Sequence, residues 1–212
     1  MRLAALAIAM GALVLVGGCI PPRPAPTPAT PGQPTSSLAA TPSPRQTSPD
    51  ASPTAAASSA VAVDPTLLDL LPDSVGDVPL EPDDATAAEI AAEPSVAPFI
   101  SALAVASAFG PLASDELPDY VVVTVARLKP GLFGDLFYRG WRDTFDAAVC
   151  ERAGGVDGHA EAEIGGRQTF IGTCAGGVHT YHVHLPEQDV IVSLQGAGDG
   201  RFGERVVEGL TG

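Results

Sequence analysis

The chain has 212 residues, 45% of them hydrophobic, and a formal net charge of −14 from 25 acidic and 11 basic side chains. So acidic a protein repels phosphate backbones and anionic headgroups, which excludes nucleic acid as a natural partner. The surplus is uneven: 61–119 carries 12 Asp or Glu and no Lys or Arg, while 120–212 carries 12 acidic and 8 basic residues. The acidic residues are scattered rather than set at ligand spacing, and this favours a solubilising face over a surface for a basic partner or for divalent cations.

In chain order, Arg2 precedes an apolar run from Leu3 to Val16 made only of Ala, Leu, Ile, Met, Val and one Gly. A spanning helix needs about 20 apolar residues, and no charged stop-transfer flank follows, so residues 1–18 read as a cleaved signal peptide. Val16-Gly17-Gly18-Cys19 then resembles the lipobox of bacterial lipoproteins, with an aliphatic residue, two small residues and a cysteine in sequence. Gly17 and Val16 are less usual occupants of their positions. The resemblance covers about the first 20 residues. It implies cleavage before Cys19, a diacylglyceryl group on its thiol and a further acyl chain such as palmitate, and hence a protein held by lipid on the extracytoplasmic face of the cell membrane. Two chains on one residue give stable anchoring where one binds marginally. The alternative is that Cys19 only ends an ordinary secretory signal or short anchor.

From Ile20 to Ala60, 11 of 41 residues are Pro and most others are Ala, Ser or Thr, with no aromatic. This composition buries too little apolar surface to offset ordering entropy, so residues 19–60 read as a lipidated cysteine followed by a disordered tether. At about 3.1 Å per residue in polyproline II, its reach has an upper bound on the order of 130 Å.

Residues 61–212 read as one domain. Asp64-Pro65-Thr66 starts a short helix through Leu71, and Asp77 to Glu81 reads as a brief strand. Asp83 and Asp84 cap a helix through Ala92, and the very apolar segment Phe99 to Phe109 reads as a second helix ended by Gly110-Pro111. Tyr120 to Leu128 is a Val-rich strand buried on both faces. Asp135 to Glu151 is an amphipathic helix with Phe137, Trp141, Phe145 and Ala148 as its core stripe, leaving Asp143 and Asp146 off it. His159 to Ile164, Gly165-Gly166 and Arg167 to Cys174 form a hairpin; Val178 to Leu185 and Val190 to Gln195 form another. Asp199 begins a last helix carrying Phe202, Val206 and Leu210.

The fold class is therefore α+β: an antiparallel sheet, comprising a meander over 159–195 plus strand 120–128, with helices packed on one face. It is similar in architecture to the Mog1/PsbP-like sheet-and-helix domains of some envelope lipoproteins, a likeness that carries over no site.

With Cys19 assigned to lipid, Cys150 and Cys174 are an even pair outside the cytoplasm and most simply form a disulfide, the alternative being two separate buried thiols. A candidate metal site for Zn²⁺ or Cu²⁺ combines His159, Glu161 and Glu163 on one strand with His182 and His184 on another, since each set alternates onto one face. Against it, alternation is what any sheet with a wet face shows, and the strand between, with Arg167 and Thr169 facing the gap, separates the sets by about 10 Å. No GxSxG, SxxK, HExxH or phosphate-loop pattern occurs, so no catalytic residue is assigned. The expected function is a tethered envelope protein that binds a small ligand or a partner protein, with a metal-binding protein and a structural accessory of an envelope complex as alternatives.

Overall fold

A computed structural model describes residues 60–111 and 118–212. Cys19, the expected signal peptide and nearly all of the expected tether lie outside the described residues. The elements are β1 (Ala62–Val63), a 3₁₀ helix (Pro65–Leu70), β2 (Ser74–Val75), β3 (Val78–Pro79), β4 (Glu81–Pro82), α1 (Asp84–Ala92), β5 (Ile100–Phe109), β6 (Tyr120–Leu128), α2 (Asp135–Glu151), β7 (Val156–Ile164), β8 (Arg167–Cys174), β9 (His179–Leu185), a 3₁₀ turn (Pro186–Gln188), β10 (Val190–Ala197) and α3 (Phe202–Gly209).

Local chemistry accounts for several boundaries. The Asp64 carboxylate accepts from the Thr66 backbone N–H with Pro65 at the first helical position, and Asp83 caps α1 in the same manner through Thr86. Gly165 and Gly166 both hold positive φ, the conformation a two-residue hairpin turn requires.

One sheet runs in the order β1-β5-β6-β10-β9-β8-β7, with β4 also paired to β5. Every pairing is antiparallel except β1 with β5. The α+β class and the four-stranded meander stand as the sequence implies, but two expectations change.

Phe99 to Phe109 is not a helix. Residues Ile100–Phe109 form β5, a central strand paired along its length with β6. Both of its faces are covered, so the segment is apolar throughout, and a continuous apolar run does not distinguish strand from helix. Its alternation is one of size: Ala102, Ala104, Ala106 and Ala108 face the 3₁₀ helix side, while Leu103 and Val105 face α1.

Helices also cover both faces rather than one. α3 and the first 3₁₀ helix lie over Val121, Val123, Tyr181, Val192 and Leu194. α1 packs with Ile100, Leu103 and Ala126 on the reverse face, where Tyr138 of α2 meets Leu128 and Ile191. Residues 193 and 194 point to opposite sides of β10, and each side has its own cover.

Candidate functional site

Helix α2 places a carboxylate where a core residue belongs. Its buried line runs through Tyr138, Asp146 and Cys150, about one helical turn or two apart, with Trp141 and Phe145 flanking. Asp146 is 0% exposed. A buried carboxylate is tolerated only when its oxygens are saturated with donors. Here Thr180 Oγ1 donates to Oδ1 at 2.6 Å and His182 Nε2 to the same oxygen at 2.8 Å. His159 Nε2 lies 3.0 Å from Oδ2. Burial pushes the Asp146 carboxyl up, but the hydrogen bonds from His182 and Thr180, with the charge those imidazoles carry when protonated, outweigh it and hold it below the ordinary value.

The network continues inward. His182 Nδ1 lies 3.0 Å from Ser193 Oγ, and Trp141 Nε1 donates to that same oxygen at 2.9 Å. Because Trp141 can only donate, the Ser193 hydroxyl has its own proton free to give to His182 Nδ1, and the Nε2–H tautomer of His182 then satisfies every member. His182 and Ser193 sit opposite each other across β9 and β10, so register alone aligns them. Both are wholly buried.

Ser193, His182 and Asp146 are thus a Ser-His-Asp set, but not one connected for nucleophilic catalysis. In a catalytic triad the carboxylate orients Nδ1 and the nucleophile meets Nε2; here the two nitrogens are exchanged. The Ser193 oxygen is also sealed from solvent and engaged by the indole. What the arrangement does is fasten α2 to β9 and β10 through polar bonds that specify a single seating.

A covalent bond reinforces that seating one turn along the helix. Cys150 and Cys174 form the expected disulfide, with Cα atoms 5.1 Å apart, joining the end of α2 to the end of β8. Both cysteines are buried.

The five residues considered for a metal are not gathered into a site. His159 and His182 are both bound to Asp146. Glu161 accepts from Gln168 at the surface, and Glu163 is exposed. His184 stacks on Phe133 with ring centroids 3.4 Å apart, its Nε2 buried and unpartnered. Burial lowers its pKa below the usual imidazole value. No group of three or more His, Cys, Asp or Glu among the described residues is arranged to hold a metal ion.

The residues between the two sets differ as well. Phe170 is opposite both Glu161 and His182, so Phe170 and Gly172 face the gap, and Arg167 and Thr169 lie on the other side of the sheet. Arg167 instead donates to the Leu210 and Gly212 carbonyls beyond α3.

Sequence reasoning missed Asp146, Ser193 and Thr180, and placed Asp146 off the core stripe. Hydrophobic periodicity counts a carboxylate as solvent-facing, and its three donors come from strands 13 to 36 residues away. No helix among the described residues is long and apolar enough to cross a membrane. Compared with known proteins, the chain matches no family model, no curated protein and no solved structure.

Proposed function

We propose that this chain is a lipid-anchored protein of the extracytoplasmic face of a bacterial membrane, whose α+β domain, carried on a Pro-rich tether, binds a small ligand or a partner protein. The observation that carries the reading is the order of a basic residue, a short apolar run and Val16-Gly17-Gly18-Cys19 ahead of a Pro-rich segment. The Cys150–Cys174 disulfide supports it, because such bonds persist in oxidising compartments. The Ser193, His182 and Asp146 set does not favour a nucleophilic hydrolase, because its one hydroxyl is buried and engaged by Trp141 and His182.

The full chain expressed in a bacterial host that processes lipoproteins tests the anchoring. Isotopically labelled palmitate should enter the protein, intact mass should correspond to a chain beginning at a diacylated or triacylated Cys19, and Cys19→Ser should abolish label and release the domain from membranes. An unlabelled chain with a free Cys19 thiol overturns the reading.

A further inference from the structure

On the sheet face opposite α2, a cavity of about 400 Å³ opens between β8, β9 and the start of α3. Its floor is apolar, made by Ile171, Phe202 and the Tyr181 ring. Its rim carries charges of both signs, since Arg201 and Glu204 line it and are paired with each other. Arg201 is largely exposed, and Glu204 is three-quarters buried. His179 and Thr173 complete the polar wall.

Three features make this more than a surface depression. Arg201 occupies the N-cap position of α3, and no side chain caps the first turn. Ser, Thr, Asp or Asn there would accept from the first-turn N–H groups; Arg has no acceptor to offer, so no side chain satisfies those donors. Second, Tyr181 lines the cavity although it is 5% exposed, and burial pushes its phenol up, with the Arg201 charge only partly offsetting that. Third, Gly203 brings α3 down onto that ring: a Cβ at this position would fall 2.8 Å from Tyr181 Cδ2.

Charge selects the ligand class. From residue 61 onward 24 acidic side chains face 8 basic ones, so the field around the domain repels a net anion. A net-neutral zwitterion escapes that repulsion while using both rim charges. We propose that this cavity binds an α-amino acid with an apolar side chain: its carboxylate on Arg201 and the first turn of α3, its ammonium on Glu204, its side chain over Ile171, Tyr181 and Phe202. The volume lies within the range of small-ligand sites. This deepens the binding-protein reading and rests on it.

Titration calorimetry on the full chain tests the assignment with L-phenylalanine and L-leucine, against phenylacetate, which lacks the ammonium, and phenethylamine, which lacks the carboxylate. Saturable binding of an amino acid is expected, weakened at least about tenfold by loss of either charged group from the ligand or by Arg201→Met or Glu204→Gln. Thermal unfolding of each variant verifies that it is folded. No saturable heat with either amino acid, equal binding of a one-charge analogue, or unchanged affinity in both folded variants overturns it. Lipid on Cys19, read by mass on the same preparation, reports anchoring separately, so an anchored protein without heat removes this cavity assignment alone.

Discussion

Gly172 leaves open the space that the Asp146 carboxylate fills. A Cβ at position 172 would fall 2.7 Å from Asp146 Oδ2 and closer still to Thr180 Oγ1. Gly172 stands opposite both His159 and Thr180, so the missing side chain lets donors from β7 and β9 converge on one carboxylate across β8. Glycine is here a packing requirement rather than a turn.

Gly172→Ala should therefore destabilise the domain by about 2 to 4 kcal/mol, because it displaces a buried charge from its donors as well as overpacking the site. Gly140 supplies the contrast. It lies within α2 with nothing within 4 Å of its ideal Cβ, and Gly140→Ala should stabilise by about 0.5 to 1 kcal/mol through helix propensity and chain entropy. Urea unfolding of both variants checks the pair; similar effects at the two positions would falsify the packing account of Gly172.

Acid should weaken the fold in two stages. Burial holds His184 below the ordinary imidazole value of 6.5, so the unfolded chain takes up that proton first and stability declines as pH falls through 6.5. Asp146 has a folded pKa below 3.8; its contribution is complete above 3.8 and is lost as pH falls from there through the lower folded value. His184→Phe, which retains an aromatic ring against Phe133, should reduce the upper stage and leave the lower one. Unfolding free energies measured between pH 8 and pH 3 distinguish the stages, and an upper stage undiminished in the variant excludes His184 as a source of it.

Much of this architecture was legible in the residues. The Val-rich run of β6, the Gly165-Gly166 hairpin and the period of α2 are local signals, and each appears at its expected place. β5 was not, because its strand character depends on pairing with β6 some twenty residues later. The one local clue was Ala at every second position from 102 to 108, a period of two written in side-chain size rather than polarity. The Asp146 network was illegible for a related reason. A lone acid on a helix looks solvated until the strands that donate to it are assembled.

Removing the disulfide should cost about 3 kcal/mol, the chain-entropy value for a loop closed by residues 24 apart. Cys150→Ala with Cys174→Ala should still fold, since Asp146 holds the same end of α2, whereas combining these changes with Asp146→Ala removes both fastenings. The combined variant should lose the near-ultraviolet dichroism of Trp141 while the double cysteine variant retains it. Peptide mapping without reductant should recover Cys150 and Cys174 in one linked fragment.

Ser193 offers the sharpest discrimination between a fastening and a catalytic set. A nucleophilic serine reacts with fluorophosphonates when a base removes its proton and the reagent reaches Oγ. Ser193 Oγ is 2.9 Å from a donating indole and wholly buried, so the folded chain should remain unlabelled at this position. Ser193→Ala should instead register as instability of about 1 to 3 kcal/mol, because it strands Trp141 Nε1 and His182 Nδ1 without partners in the core. Mass-spectrometric detection of a phosphonylated Ser193 in the native protein, together with unchanged unfolding of Ser193→Ala, would reverse the assignment. Substituting Trp141→Phe separates the two roles further: it deletes one donor while leaving the hydroxyl bonded to His182, and should cost less than Ser193→Ala if the indole serves the hydroxyl rather than the reverse.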